Sequence, residues 1–358
     1  MTQYWTMGSS IPGEIGAAAV LAEQDGWDGV VYVDSQNLRP DCFTTMAFAL
    51  AATTRLRVSP GVTNPLTRHP AVAASAIAAL HAESGGRCSY GIGRGDSALA
   101  YIGLAPCSVP FFERYVRNVR QFLRAGRVDF ADLGVDADVA SLETLHLHDQ
   151  PAESWLRWLG GVETTVPVEV VATGPKVIAV GGRHADIVTF TVGADPDRIR
   201  WGMATARDAA ETAGRDPSTL RFGAYVNIAC HDDIDMARTL VSGGLASFSR
   251  FAAMHGKAVG PDSALTGVLE QISASYDMKH HGEPDSSQTD VMTAEFVDRF
   301  GIVGDSAACR RRLVELAELG LERLYVFTQN QGTREAYPTE SARSRELTVQ
   351  ELLPSLPR

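Results

Sequence analysis

The feature that most restricts what this chain can fold into is a rhythm. Short β-branched runs alternate with alanine-rich stretches of helical length. Such alternation is the pattern of βα units around a parallel sheet. The first four strands are predicted at Gln3–Met7, Gly29–Val33, Leu56–Ser59 and Cys88–Ile92, with helices at Pro12–Gln24, Phe43–Ala52, Pro70–Glu83 and Phe111–Ala125. Proline at a first turn and glycine past the end mark several of these helices. After Gly126 the rhythm breaks, and 128–166 carries Asp, His and Trp in no clear period.

The pattern resumes with a strand at Val168–Val171, a helix starting at Pro175, a strand at Ile187–Thr191, a helix at Pro196–Ala213 and a seventh strand at Leu220–Ala229. A second irregular stretch, 242–300, is rich in turn residues. A helix at Ser306–Leu319, an eighth strand at Arg323–Thr328 and a helix at Glu340–Leu353 complete the series. Eight strands with eight helical partners predict an α/β fold, a (β/α)8 TIM barrel, in one domain spanning 1–358. The insertions fall after strand 4, at about 127–166, and after strand 7, at about 242–300. A doubly wound nucleotide-binding sheet would carry G-x-G-x-x-G after its first strand. The only near relative of that motif is Gly91-Ile92-Gly93-Arg94-Gly95-Asp96 after the fourth strand, with the wrong spacing.

A formal charge of −11 argues against nucleic acid as a partner, since binding phosphate backbones needs clustered cations. The opening MTQYWTMGSSIPGE has neither the basic nor the apolar region of a secretory signal, and no segment reads as membrane-spanning. The expectation is a cytoplasmic protein. Five scattered cysteines without a C-x-x-C pair predict reduced packing residues and no zinc site.

In a barrel, chemistry sits at strand C-termini and the loops behind them. Strand 2 ends in Asp34-Ser35-Gln36-Asn37, strand 3 in Gly61-Val62-Thr63-Asn64-Pro65, strand 4 in Gly91 to Asp96, and strand 5 in Ala172-Thr173-Gly174-Pro175-Lys176. The glycines after strands 3 and 4 would let a flat ligand approach the backbone, although they could equally mark tight turns. Thr173 to Lys176 opens a helix with free N–H groups, a hydroxyl and a cation: a phosphate cradle, or else a plain helix start.

The strings SPGVTNPLTRHP after strand 3, GIGRGD after strand 4 and ATGPK after strand 5, with Ala185-Asp186 downstream, resemble the luciferase-like flavin- and F420-dependent oxidoreductases. The similarity is greatest to their methylenetetrahydromethanopterin reductase branch and extends from Met1 to about Phe327. It implies a non-prolyl cis peptide at Gly61–Val62 under the ring of the cofactor, with Thr63 and Asn64 at the ring edge. Gly93 and Gly95 would lie against the ring, and Ala172, Thr173, Gly174, Pro175 and Lys176 at the cofactor phosphate. Asp34 matches the acidic residue after strand 2. Asp96 matches a carboxylate that in several F420 relatives donates a proton or positions the ring; the competing reading of Asp96 is a helix N-cap. Where the sugar-phosphate dehydrogenase branch has histidine after the strand 2 aspartate, this chain has Ser35.

The resemblance therefore implies an F420-dependent oxidoreductase that transfers a hydride between deazaflavin C5 and a small organic substrate. The alternatives are an FMN-dependent monooxygenase and a barrel that binds such a ligand without catalysis. A homodimer through helices beside strands 2 to 4 is expected on the same ground. Among other candidates, His146 and His148 have the spacing of two same-face strand residues, His69 packs or caps, His280-His281 reads as a solvated loop, and Trp155 and Trp158 line a pocket or pack the insertion.

Overall fold

The computed structural model of the protein describes residues 1–134 and 138–357. Eight parallel strands form its frame: β1 (Gln3–Met7), β2 (Gly29–Tyr32), β3 (Arg57–Pro60), β4 (Tyr90–Ile92), β5 (Val168–Ala172), β6 (Ile187–Phe190), β7 (Arg221–Cys230) and β8 (Arg323–Phe327). Hydrogen-bonded neighbours run β3-β2-β1-β8-β7-β6-β5-β4. Single bridges from Val58 to Cys88 and from Thr63 to Ile92 then join β3 to β4, so the ring closes as a TIM barrel.

Around it lie α1 (Ile15–Asp25), α2 (Cys42–Ala52), α3 (Pro70–Glu83), α4 (Val109–Leu123), α5 (Pro175–His184), α6 (Pro196–Thr212), α7 (Ile234–Ser249), α8 (Ser306–Ala317) and α9 (Pro338–Leu347). Every residue of β2, β6 and β8 is buried. A strand covered by helices outside and side chains inside has two apolar faces, which is why these runs are continuous rather than alternating. Helix α4 shows the complementary logic: Phe112, Tyr115, Val116, Val119 and Phe122 recur at helical spacing and are buried, while Arg117 faces outward.

The barrel interior holds two layers of different character. Trp5, Val31, Tyr225, Tyr325 and Phe327 form an apolar cluster, with the Tyr225 and Tyr325 rings stacked at 4.4 Å between centroids. Beside it Glu169 accepts from Arg323 Nη1 at 2.9 Å, from the Tyr325 hydroxyl at 2.7 Å and from the Thr189 hydroxyl at 2.5 Å. This buried charge is acceptable because every oxygen has a donor.

The two insertions depart from the expected picture. In the first, Val128–Asp129 pairs antiparallel with Glu153–Ser154. His146 and His148 are not on a strand: His146 follows a short 3-10 turn with φ of 49°, and both are exposed. In the second, the sequence reads as irregular from Ser242, yet α7 continues to Ser249. Helices Thr266–Ala274 and Ala294–Phe300 follow, and a short strand, Ile302–Gly304, pairs with the end of β7. Leu269, Ile272, Phe296 and Phe300 bury against α7 here. Tertiary packing thus supplies the order that a pattern interrupted by glycines does not announce. Among the described residues no helix is long and apolar enough to cross a membrane.

Candidate active site

The strand C-termini gather the expected residues at one mouth. Gly61 N–H donates to the Tyr32 carbonyl at 2.7 Å, and Thr63 exchanges backbone bonds with Gly91 and Gly93 at 3.1 and 3.0 Å. The ends of β2, β3 and β4 are therefore locked side by side. The Gly61–Val62 peptide is cis, as the resemblance implies. A Cβ on Gly93 would come within 3.1 Å of Val62 Cγ2, and one on Gly91 within 2.3 Å of the Pro60 carbonyl oxygen. Glycine at these two places is what lets the neighbouring strand end lie so close.

Polar atoms at this mouth are buried without partners. Ser35 Oγ, Thr63 Oγ1, Asn64 Nδ2 and Thr67 Oγ1 meet no hydrogen-bond partner among the described residues. Ser35, Thr63 and Asn64 are almost fully enclosed. The Asn64 side-chain oxygen, by contrast, accepts from the N–H groups of Leu66 and Thr67 at 3.0 and 3.1 Å, which fixes the amide and leaves its NH2 to another acceptor. A buried polar atom left unpaired costs about 1–3 kcal/mol. Several such atoms at neighbouring strand ends mark a place where a polar ligand would restore the missing bonds.

Both aspartates singled out from the sequence lie at the mouth, and each is held by an arginine. Asp34 is buried and ion-paired with Arg68, which also pairs with Asp41, the N-cap of α2. The Arg68 guanidinium lies 4.8 Å over the Phe43 ring, and its carbonyl accepts from the Tyr115 hydroxyl at 2.8 Å. Asp96 occupies the N-cap position of a short helix, Ser97–Ala100, but its side chain makes no cap. It pairs instead with Arg250, just beyond α7, and Arg250 lies 4.5 Å over the Tyr276 ring.

Most helices of the ring are capped at their start by a side chain, and α5, like α1 and α9, is not. Asp41, His69, Ser108, Asp195, Asp233 and Asp305 cap α2, α3, α4, α6, α7 and α8 with their side chains. Helix α5 begins at Gly174 with no side-chain cap, and open space surrounds the position of a Gly174 Cβ. Pro175 has no N–H and Val177 N–H donates to the Gly174 carbonyl at 3.1 Å, so the Lys176 N–H and the helix dipole are what remain for an anion. Lys176 is exposed on the first turn, beside a groove of about 490 Å³ lined also by Val109, Pro110, Ala179 and Arg183. Ala172 is buried beneath, and the Thr173 hydroxyl bonds that of Thr191.

The sequence assigns no role to Arg68, Arg250 or Thr191. Arg68 stands inside the TRHP string and could have been suspected as the counter-ion of two nearby aspartates. Arg250 lies in a stretch without period, and nothing in the sequence joins it to Asp96. His69 caps α3, with Nδ1 accepting from Ala71 N–H at 3.2 Å. Trp155 sits between the Arg127 and Arg157 guanidinium groups at 4.3 and 4.4 Å, and Trp158 donates to Ser75 on α3 at 3.2 Å. Those contacts give both tryptophans a packing role.

A family profile described as luciferase-like monooxygenase matches residues 3–323. A 5,10-methylenetetrahydromethanopterin reductase of Methanolobus tindarius is 26% identical over 313 residues, covering 86% of this chain and 87% of that one. An F420-dependent glucose-6-phosphate dehydrogenase of Beutenbergia cavernae is 29% identical over 198 residues, 51% of this chain and 53% of that one. The solved structure of the coenzyme F420-dependent tetrahydromethanopterin reductase from Methanopyrus kandleri superimposes over all of both chains, with a TM-score of 0.71 and 22% identity.

Proposed function

This chain belongs to the luciferase-like monooxygenase family, a family of oxidoreductases, and from that premise we propose that it is an F420-dependent reductase or dehydrogenase of a small organic substrate. The observation that carries the reading is the set of buried, unpartnered polar atoms on Ser35, Thr63 and Asn64 at the ends of β2 and β3. The uncapped start of α5 supports it from the other side of the mouth. Relatives over most of the chain carry the reductase name, and the partial relative carries the cofactor's name, which favours F420 over FMN.

The residues fit such a cofactor at both ends. Gly61, Val62, Gly93 and Gly95 would underlie the ring, with Thr63 and Asn64 at its edge. Ala172, Thr173, Gly174 and Lys176, with Pro175 fixing the turn, would hold its phosphate through backbone N–H groups, a hydroxyl and a cation. When bound, the deazaflavin supplies hydride chemistry at C5. Asp96 would deliver or take a proton at the substrate, and Arg250 fixes its direction. Asp34, held by Arg68, would set the wall of the pocket after β2. Ser35, standing where a histidine base would be, favours reduction of an electron-poor carbon over oxidation of an alcohol.

Two features bear on the protein's setting. Phe48 of α2 and Val72 of α3 are largely exposed, which suits a second copy packed on that face. All five cysteines are buried free thiols, in keeping with the reducing cytoplasm.

The test is a fluorescence titration of the purified protein with F420 and, separately, with FMN, in the wild type and in Lys176→Ala. The expected result is tight F420 binding, at least tenfold weaker in the variant. Preference for FMN would move the assignment to an FMN monooxygenase. Saturable binding without turnover on any electron acceptor or donor would leave a cofactor-binding barrel.

A further inference from the structure

At the end of the barrel opposite the mouth, α4 and α5 finish side by side. Arg124 marks the place: its guanidinium donates to the Thr164 and Val166 carbonyls at 2.8 and 3.2 Å, just before β5, and pairs at 3.1 Å with Asp186, just before β6. Between the helix ends lies a cavity of about 270 Å³, lined by Arg117, Arg120, Gln121, Arg124, Gly126 and His184. None of these six residues is acidic, in a chain whose formal charge is −11.

Helix C-termini attract cations, so arginines here need a reason beyond the dipole before they imply a ligand. Most of them have one. Arg124 holds three acceptors as described, and Arg215 behind it donates to the Gly182 and Ala185 carbonyls at 2.8 and 2.9 Å. Arg183 makes two bonds to Glu113, at 2.7 and 2.8 Å, and His184 shares that carboxylate at 2.8 Å. Arg117 pairs with Asp132 at 3.2 Å on an exposed surface. Arg120 has no such occupation: among the described residues it makes no ion pair and its Nε, which is buried, meets no hydrogen-bond partner. Of these five guanidinium groups Arg215 and Arg120 have no carboxylate, and while Arg215 is held by two carbonyls, Arg120 lines the cavity.

We propose that this cavity is a binding site for a phosphate group, free or at the end of a larger molecule, with Arg120 as its principal ligand. A guanidinium presents paired N–H donors whose fork matches two phosphate oxygens. Arg120 and Arg117, three residues apart on α4, present two such forks on one helix face. The Arg120 Nε gains the acceptor it lacks. The site is separate from the cradle at Lys176, which begins α5 at the mouth, and it does not depend on the cofactor assignment.

The experiment is calorimetric titration of the full-length protein with inorganic phosphate and with pyrophosphate, in Lys176→Ala alone and combined with Arg120→Ala or Arg117→Ala, alongside melting temperatures with and without each anion. With Lys176→Ala as the background, so that the cradle at the mouth takes no anion, saturable binding should remain, weaken at least tenfold on adding Arg120→Ala and weaken less on adding Arg117→Ala. Pyrophosphate should raise the melting temperature of Lys176→Ala and leave that of its combination with Arg120→Ala unmoved. Stronger binding of pyrophosphate than phosphate identifies an end group of a larger molecule, and the reverse identifies the free ion. The proposal is overturned if neither anion saturates, if adding Arg120→Ala leaves binding unchanged, or if Lys176→Ala alone abolishes binding.

Discussion

The Asp96 carboxylate is ion-paired with the Arg250 guanidinium, joining the loop after β4 to the segment that follows α7. The two side chains keep only 20% and 14% of their exposure, so the pair is sheltered from the screening that makes surface pairs nearly worthless. Removing Arg250 strands a partly buried carboxylate, and Arg250→Ala is expected to cost about 1–3 kcal/mol in urea unfolding, below the range for a fully buried pair. Activity separates two roles for Asp96. As a proton donor it should lose turnover about 100-fold in Asp96→Asn, with F420 affinity kept within a few-fold. A loss just as large in Arg250→Ala would make the pair a clasp on the loop.

Glu169 and Arg323 form a still more sheltered pair, with both partners almost wholly enclosed inside the barrel. Arg323 Nη1 also donates to Ser89 Oγ at 3.0 Å, while the Tyr325 and Thr189 hydroxyls satisfy Glu169. Arg323→Met leaves a buried carboxylate facing hydroxyls alone and should destabilise the protein by about 3–5 kcal/mol. Adding Glu169→Leu removes the stranded charge, so the double variant should recover a large part of that loss. Chemical denaturation of the two single variants and the double measures this directly. Additive losses would mean that side-chain packing, rather than charge, dominates the network.

The contrast between these pairs shows what a sequence can disclose. Strands such as β2 are legible because burial on both faces writes itself as an unbroken apolar run, Gly29 to Tyr32, and the remaining strands because they recur at the same spacing between helices. Thr173 to Lys176 is legible as a helix start because proline and glycine have local consequences. Arg250 is not legible, since its partner is 154 residues away and its own neighbourhood lacks a period. Arg323 reads as the polar start of a strand, yet the closure of the barrel turns it inward to Glu169. Helices Thr266–Ala274 and Ala294–Phe300 are hidden for the same reason: their order comes from packing against α7, not from a long amphipathic pattern of their own. Local chemistry is read locally, and contacts made by ring closure are not.

Glu113 on α4 offers a titration with a definite sign. Hydrogen bonds from Arg183, supplemented by His184, hold its carboxyl down to about 2, against an ordinary value of 4.5. Burial lowers the His184 value, so at neutral pH that ring serves as a neutral donor. An acid whose value is depressed by folding stabilises the fold fully above its unfolded value, and that contribution fades as pH falls from about 4.5 through about 2. With allowance for its partial exposure, the contribution is on the order of 1–2 kcal/mol. Unfolding free energies of the wild type and Glu113→Gln should therefore differ by that amount at pH 6 and converge as the pH is lowered toward 2. Comparing the two proteins at each pH cancels the acid sensitivity of every other carboxylate. A difference that stays constant down to pH 2.5 would locate the stabilisation in the shape of the hydrogen-bonded cluster rather than in the charge on Glu113.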